Sequence, residues 1–400
     1  MDSMQYRNSR IVLHLSLIND VGPATVLKLF RHLYLAKFSD VPSVDWGELV
    51  EHQHDLDGEV LYAYNSSDFA RIAGISERLA GLIAQGLADK NLLDDAQECA
   101  RRHGITIITF FDEAYPEILR QIHAPPLVLY YQGASLQREA KRIGFVGSRR
   151  ATDYAARAMR KLIPGLVESG WHIVSGGAEG ADTIAHEITL ECGGRTLAVL
   201  GSGLLQPYPL SNKKLFERIV NTGGAVISPF PLMTAPDKGT FPARNRIISG
   251  LSLGCVIVQA AERSGALITA HCALDQGRAV FAVPGSISEE LSAGCHRLIQ
   301  EGAKLVNNLD DILEEFGEGS TVGAQILVRR PVQVQTTIGD ASVQQAVDPV
   351  VACLTRPASL DELLDKTGLS VIDLQDRLFQ LQLEEKIRQN FAGTWECVEK

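Results

Sequence analysis

The segment between residues 143 and 306 alternates short apolar, β-branched runs with stretches of helical periodicity. The runs typical of strands fall at 143–147, 171–175, 196–201, 224–228, 254–260, 279–283 and 304–306, and those typical of helices at 153–169, 180–192, 211–221, 244–251, 266–276 and 293–301. A strand that returns to a parallel neighbour needs a crossover of a dozen residues or more, which a helix usually provides. The alternation therefore predicts an α/β fold with a mostly parallel sheet, helices on both faces, and ligands at the carboxyl ends of the strands.

Changes in composition divide the chain into four regions. We predict a small helical domain over 1–100, a doubly wound, Rossmann-like domain over 101–316 whose core begins at 141, a linker over 317–347, and a winged-helix-like domain over 348–400. Two further β runs, at 105–111 and 127–131, lead into the core. A hydrophobic fraction of 45% is ample for burying such a sheet.

The first region contains two glycine turns, at Gly22 and Gly74, each between apolar helical stretches. This repeat suggests a helix-hairpin-helix or SAM-like domain, in which turn amides and a helix N-terminus can hold a DNA phosphate. The acidity of the segment, with 12 Lys+Arg against 19 Asp+Glu over 1–140, favours a plain helical bundle instead.

The last region has the outline of a winged helix, with short helices followed by a β-like tail over 386–398. A recognition helix that enters a DNA groove carries basic residues, yet 371–383 contains two acidic residues, Asp373 and Asp376, and a single basic residue, Arg377. We therefore expect this domain to contact protein and not DNA.

The net charge of −10 excludes a chain that coats nucleic acid with a uniformly basic surface, because affinity for a polyanion comes mainly from Lys and Arg. Over 141–316 the balance is even, with 18 Lys+Arg and 17 Asp+Glu. A basic face is therefore expected only in this middle region.

The seven cysteines are scattered and show no metal-ligand spacing, so we expect reduced thiols and neither a metal nor another cofactor. No run approaches the ~20 apolar residues that a membrane helix needs, and the polar start lacks a signal core. We expect a cytoplasmic protein without a membrane partner.

Small residues follow three consecutive predicted strands, where free amides and helix N-termini favour anions. An arginine-bearing run, 240–251, adds guanidinium groups suited to phosphate. The predicted phosphate-binding residues are Ser148, Arg149, Arg150, Gly176, Gly177, Gly201, Gly203, Lys238, Arg244, Asn245 and Arg246, with Phe241 as a candidate for base stacking. Two alternatives stay open: Arg244 or Arg246 bonds loop carbonyls as a structural arginine, and Phe241 belongs to the core.

The sequence contains one pair of residues that could take part in acid–base catalysis. Asp182 and His186 are four residues apart on one predicted helix face, a spacing that suits either an acid–base pair or a helix cap beside a polar face. No nucleophile with matching partners accompanies them, and His271, in an apolar helix, is expected to be buried. We predict no catalytic residues and no enzyme.

The chain resembles the DNA-processing protein A family, also called Smf. The resemblance rests on six blocks of sequence. Three of them are Val-Gly-Ser-Arg-Arg-Ala-Thr at 146–152, Val-Ser-Gly-Gly-Ala-Glu-Gly-Ala-Asp at 174–182 and Phe-Pro-Ala-Arg-Asn-Arg-Ile-Ile-Ser-Gly-Leu-Ser at 241–252. The others are Ser-Gly-Ala-Leu-Ile-Thr-Ala at 264–270, Gly-Arg-Ala-Val-Phe-Ala-Val-Pro-Gly at 277–285 and the run from Gly294 to Gly302. It implies a homodimer that binds and protects single-stranded DNA and loads the RecA recombinase during natural transformation. It also implies that the anion-binding group is Ser148, Arg149, Gly176, Gly177 and the run 244–246, with Lys213 as a weaker member.

Two other functions remain open on the sequence. Nucleoside-monophosphate phosphoribohydrolases share the sheet and glycine loops, but carry a Pro-Gly-Gly-x-Gly-Thr loop followed by a catalytic Glu. The corresponding stretch here, 261–267, reads Ala-Glu-Arg-Ser-Gly-Ala-Leu. It has no Gly-Gly pair, and no Glu lies on the helix turn that follows it. The other alternative is an assembly scaffold whose glycine loops bind nothing.

Overall fold

The computed structural model describes residues 4–38, 46–136, 140–317 and 349–354, and within the C-terminal region residues 358, 363, 366–367, 374, 378, 381, 387–389 and 395–397. The chain divides into two compact units, Met1–Val328 and Arg329–Lys400. The predicted boundaries within the first unit stay a prediction.

Nine strands of the described residues form one sheet. They are β1 Thr106–Thr109, β2 Val128–Gly133, β3 Arg142–Val146, β4 His172–Ser175, β5 Thr196–Val199, β6 Ala225–Ser228, β7 Gly254–Ile257, β8 Ala279–Ala282 and β9 Lys304–Leu305. Their spatial order is β1-β2-β6-β5-β4-β3-β7-β8-β9. The strands from β6 to β9 in this order are parallel, while β2 pairs antiparallel with both β1 and β6.

The order reverses at β3. From β3 the chain adds β4, β5 and β6 on one side and then returns to place β7, β8 and β9 on the other. In open α/β sheets, ligands bind outside the carboxyl ends of the strands at such a reversal. The α/β fold with its mostly parallel sheet is thus confirmed, and it brings the loops after β3, β4 and β5 to one edge.

Helices cover the sheet and form the N-terminal region. They are α1 Met4–Ser16, α2 Pro23–Lys37, α3 Trp46–Glu51, α4 Ser66–Ala70, α5 Glu77–Ala88, α6 Lys90–Arg102, α7 Glu117–Arg120, α8 Asp153–Glu168, α9 Ala181–Glu191, α10 Lys213–Asn221, α11 Thr240–Gly250, α12 Gly265–Asp275, α13 Ala293–Gln300 and α14 Asp310–Leu313. Short 3₁₀ turns lie at Gly58–Ala63, Leu210–Asn212, Glu290–Ser292 and Glu314–Phe316. The two predicted glycine turns lie between α1 and α2 and between α4 and α5.

Successive strand residues pack on opposite faces of the sheet, because side chains alternate along a strand. On β4, Ile173 joins the core under α8 and α9, whereas Val174 joins the core shared with the N-terminal helices. That second core is continuous from Phe30 in α2 to Ile247 in α11. The N-terminal helices therefore share one continuous core with that face of the sheet, and α1 contacts β1 and β2.

Two details of the helices differ from prediction. α11 begins at Thr240 and not at residue 244, since Pro242 falls in the first turn, where no backbone N–H is needed. The prediction that His271 is buried is wrong. α12 packs through Leu267, Ala270 and Ala273, and helical periodicity directs His271 to the solvent face.

In the second unit, α15 (Pro349–Cys353) contributes to a small apolar cluster that includes Val350, Leu363 and Leu378. Strands β10 (Ile387–Gln389) and β11 (Trp395–Cys397) pair antiparallel within the predicted β tail. Most of the linker 317–347 and of the recognition helix 371–383 lies outside the described residues, so the winged helix stays a prediction. Over the described part of the chain, no helix is both long and apolar enough to cross a bilayer.

Candidate nucleic-acid interface

The loops after β3, β4 and β5 and the start of α11 surround one cleft, which we call the Arg149 cleft. Its lining residues are Arg149, Gly176, Ala178, Glu179, Tyr208, Pro209, Phe241 and Arg244. Four of these, Arg149, Gly176, Phe241 and Arg244, belong to the set predicted from the sequence, and a fifth predicted residue, Gly201, packs beneath Phe241. The parallel sheet explains the convergence, because it ends all three strands at the same edge.

Arg149 and two aromatic rings form the exposed part of the cleft. The guanidinium carbon of Arg149 lies 5.4 Å from the ring centroid of Phe241, within cation–π range. The Tyr208 ring centroid is 5.7 Å from that of Phe241, and Tyr208 is 44% exposed. Arg149 is exposed and Phe241 half-buried against Gly201. A cation and two rings are thus presented together to solvent.

Arg244 lies beneath this surface. It is only 4% exposed, and its Nη1 donates to the carbonyl oxygen of Val199 at 2.8 Å. Burial lowers the pKa of Arg244 to about 10, so the group stays protonated at neutral pH. A side chain larger than hydrogen at Gly176 would collide with this guanidinium. Arg244 is therefore a fixed positive charge in the floor of the cleft.

The glycine loop after β4 is closed by Asp182 from α9. Its Oδ2 accepts hydrogen bonds from the backbone N–H of Gly176 at 3.1 Å and of Ala178 at 3.3 Å. Gly177 between them has a φ of +63°, a conformation that favours glycine. Because Asp182 already accepts from the amides of Gly176 and Ala178, these two donors are not open to an anion, and the exposed cation beside the loop is Arg149.

Asp182 and His186 serve structure. His186 is fully buried, and its Nδ1 lies 2.7 Å from the hydroxyl of Thr196. Burial lowers the pKa of His186 to about 3, and burial raises the pKa of Asp182 despite the opposing charge of Arg244. A buried imidazole that stays neutral at physiological pH lacks access to a substrate, so the cap and the polar face account for this pair.

The structure does not bring Arg246 into the cleft. Its Nη1 donates to the carbonyl oxygens of His123, at 3.1 Å, and of Ala124. Two positions along an α-helix rotate a side chain by about 200°, so Arg246 leaves α11 on the side opposite Arg244. Between them, Asn245 donates to the carbonyl oxygen of Gly265 at 3.3 Å.

The other predicted residues surround the cleft or support its loops. Ser148 is buried, and its Oγ accepts from the backbone N–H of Arg150, whose side chain is exposed. Gly203 packs against the carbonyl oxygens of Pro231 and Leu232. Lys238 is exposed in the loop before α11, and Lys213 lines a neighbouring groove with Leu204 and Phe216.

Two lining residues were missed from the sequence, Tyr208 and Glu179. Tyr208 lies in a Pro-Tyr-Pro segment after β5, and an aromatic residue between prolines in a loop is a signal that could have identified it. Glu179 is exposed, and its Oε1 accepts from the hydroxyl of Ser211 at 2.8 Å. By contrast Glu262, in the stretch compared above with the phosphoribohydrolase loop, is exposed after β7 and is not among the residues that line the Arg149 cleft.

Comparison with known proteins agrees with this architecture. Residues 106–317 match the family described as DNA recombination-mediator protein A. DNA processing protein DprA of Streptococcus pneumoniae is 39% identical over 284 residues, which cover 71% of this chain and 97% of that protein. DNA processing protein DprA of Bacillus subtilis is 42% identical over 219 residues, covering 54% and 73%. The X-ray structure of the S. pneumoniae protein superimposes with a TM-score of 0.59 at 34% identity, over 76% of this chain and 95% of that one. The chain belongs to the DNA recombination-mediator protein A family.

Proposed function

We propose that this chain binds single-stranded DNA through the Arg149 cleft and acts as a non-catalytic recombination mediator. The observation that carries the proposal is the exposed Arg149 guanidinium stacked 5.4 Å from Phe241 and followed by the exposed Tyr208 ring. A guanidinium suits a phosphate, and aromatic faces stack bases of any sequence.

Unpaired DNA fits this arrangement better than a duplex does. Bases within a duplex are stacked on each other and are not available to Phe241 or Tyr208, whereas a single strand can present them. The net charge of −10 acts against a duplex as well, because a broad track of phosphates meets acidic surface outside the cleft.

The test is a salt series on fluorescently labelled single-stranded and duplex oligonucleotides of equal length. We expect tighter single-strand binding, and Arg149→Ala should flatten the plot of log affinity against log salt by about 0.7, the value for one lost contact to a single-stranded phosphate. Arg160→Ala is the matched control, since Arg160 is exposed on α8 and paired with Glu191. Unchanged affinity and slope in Arg149→Ala would remove the cleft from the proposal.

The wider role follows from the family. We propose that the chain acts in the cytoplasm during natural transformation, protects the incoming strand as a homodimer and loads RecA onto it. The C-terminal region over 348–400 is proposed to contact protein and not DNA. RecA filament formation on a strand covered by a competing single-strand-binding protein tests the loading step, and sedimentation tests the dimer.

A further inference from the structure

The Arg149 cleft contains a carboxylate that the proposed function does not yet use. Glu179, exposed on the loop after β4, lines the cleft together with Arg149, Phe241 and Tyr208. A carboxylate repels the phosphates of a DNA strand that enters the cleft, so by charge alone it weakens binding. A favourable role for Glu179 therefore requires a contact with another part of the strand.

The backbone around Glu179 is held on both sides. Before it, the N–H of Ala178 donates to Oδ2 of Asp182 at 3.3 Å. After it, Gly180 has a φ of +81° and packs so closely against the carbonyl oxygen of Arg149 that a Cβ there would collide with it. Glu179 thus leaves a fixed loop that touches the loop of Arg149.

The carboxylate itself is anchored and keeps free acceptor capacity. The Ser211 hydroxyl donates to Oε1 of Glu179 at 2.8 Å, and Oε2 accepts no hydrogen bond from the described residues. Glu179 and Arg149 form no ion pair with each other or with other described residues, and the Arg149 guanidinium faces the Phe241 ring instead. A donor that enters the cleft can therefore bind this carboxylate.

The order of the strands places Glu179 on the route of a bound nucleotide. β4 lies between β5 and β3 in the sheet, so the loop of Glu179 lies between the loop of Tyr208 and that of Arg149. A nucleotide whose phosphate contacts Arg149 and whose base reaches the rings passes over this middle loop. The edge of that base is the part of the strand that meets Glu179.

Within a DNA strand, only the bases carry hydrogen-bond donors. The phosphate oxygens are acceptors, and deoxyribose lacks the 2′-hydroxyl of RNA. Guanine presents two adjacent donors on its Watson–Crick edge, N1–H and the 2-amino group, which a carboxylate can accept side by side. On adenine, cytosine and thymine, a single donor group on that edge lies beside an acceptor, which a carboxylate repels.

We propose that Glu179 gives the Arg149 cleft a preference for guanine, by accepting from N1–H and the 2-amino group of an unpaired guanine in the cleft. The inference rests on the proposed function. Stacking on Phe241 and Tyr208 tolerates any base, so the preference is modest and is added to a binding that remains general. Ser211 is a positioning residue that holds the carboxylate toward the cleft.

The test uses labelled oligonucleotides of equal length in which dT alternates with dG, deoxyinosine, dA or dC. Deoxyinosine lacks only the 2-amino group of dG, so the comparison removes one donor and retains a two-ring base. Lithium buffer prevents guanine quadruplexes, and EDTA prevents a divalent cation from bridging the carboxylate and a phosphate. We expect the full-length chain to bind the dG strand about two- to tenfold more tightly than the deoxyinosine strand, the range for one hydrogen bond.

Three variants identify the group responsible. Glu179→Gln should bring the ratio of dG to deoxyinosine affinity to about one, because the amide replaces one acceptor oxygen by a donor. Glu262→Gln is the matched control: it removes the same charge at an exposed site after β7, outside the residues that line the cleft, and should keep the ratio. Ser211→Ala retains the charge of Glu179 but releases its carboxylate, and should lower the ratio without changing the salt slope.

The outcomes separate this inference from the proposed function. A wild-type ratio near one overturns the inference, and so does a ratio that survives Glu179→Gln, even if that variant binds all four strands more tightly through lost repulsion. An unchanged ratio in Ser211→Ala overturns the role of Ser211. The proposed function stands in each case if Arg149→Ala weakens binding of all four strands. If Arg149→Ala binds them like the wild type, the proposed function fails and the inference fails with it.

Discussion

If the proposed function is right, Phe241 and Arg149 contribute to DNA binding through different physical terms, stacking and charge, and a substitution at each should separate them. Replacing a stacking aromatic residue by Ala costs about 1–3 kcal/mol per base. Phe241 is half-buried against Gly201, so only part of its ring faces a base, and we expect the lower part of that range, about 1–2 kcal/mol. Since 1.4 kcal/mol is a factor of ten, Phe241→Ala should weaken single-strand binding by about 5- to 30-fold.

The two variants should differ in their salt dependence. Phe241 carries no charge and displaces no counterion, so Phe241→Ala should leave the slope against log salt unchanged, whereas Arg149→Ala flattens it by about 0.7. The 5.4 Å contact between the two side chains adds a coupling of about 0.5–1 kcal/mol in the double-mutant cycle. Fluorescence anisotropy at four salt concentrations, with all three variants, measures each quantity.

A matched control exists elsewhere in the chain. Lys37 lies 5.7 Å from the ring centroid of Phe38 in the N-terminal region, a similar cation–aromatic pair outside the cleft. Phe38→Ala should leave DNA affinity unchanged. If Phe241→Ala flattens the salt slope as strongly as Arg149→Ala, the ring acts by positioning the charge and the stacking argument is refuted.

Three further substitutions test how buried residues and the glycine loop beneath the Arg149 cleft stabilise the fold. Arg244→Ala should lower the free energy of unfolding by about 3 kcal/mol in urea titrations, because it leaves Asp182 buried near no cation. Folding lowers the pKa of His186 from 6.5 to about 3, so the free energy of unfolding is highest above pH 6.5 and falls as the pH drops toward 3. Between pH 7.5 and 5.5 this fall is about 1.4 kcal/mol, and His186→Gln should abolish it. His271→Gln, at an exposed position, is the control. Gly177→Ala should lower the melting temperature by about 1–2 °C, since Ala at a φ of +63° costs about 1 kcal/mol or more.

The fold was predictable because parallel strands buried on both faces leave continuous apolar runs. A run such as Ile143 to Val146 predicts a strand, and the glycine that follows it indicates where the strand ends. The exact start of α11 was not predictable in the same way. Pro242 is compatible with a helix only in its first turn, and tertiary packing of Phe241 against Gly201 decided that the turn forms.

The packing of α11 also decides which arginine faces the cleft. In the sequence, Arg244 and Arg246 are equivalent neighbours of Asn245, and both suit a phosphate. Once α11 begins at Thr240, helical geometry separates them by about 200° and places one over Val199 and the other over Ala124. Side-chain direction of this kind comes from the packed element and not from composition. Tyr208 was missed for the same reason, since only the folded loop brings it to Phe241.

In the proposed function, the two arginines of the cleft have different roles in binding an anion. Arg244 is buried and immobile, so its charge raises the local potential without losing side-chain entropy when a ligand binds. Arg149 is exposed, so in the proposed function it makes the direct contact. One direct phosphate contact gives little affinity through charge alone, so we expect the aromatic rings to supply the larger share. On a chain with a net charge of −10, we therefore expect binding through unpaired bases and a preference for a single strand.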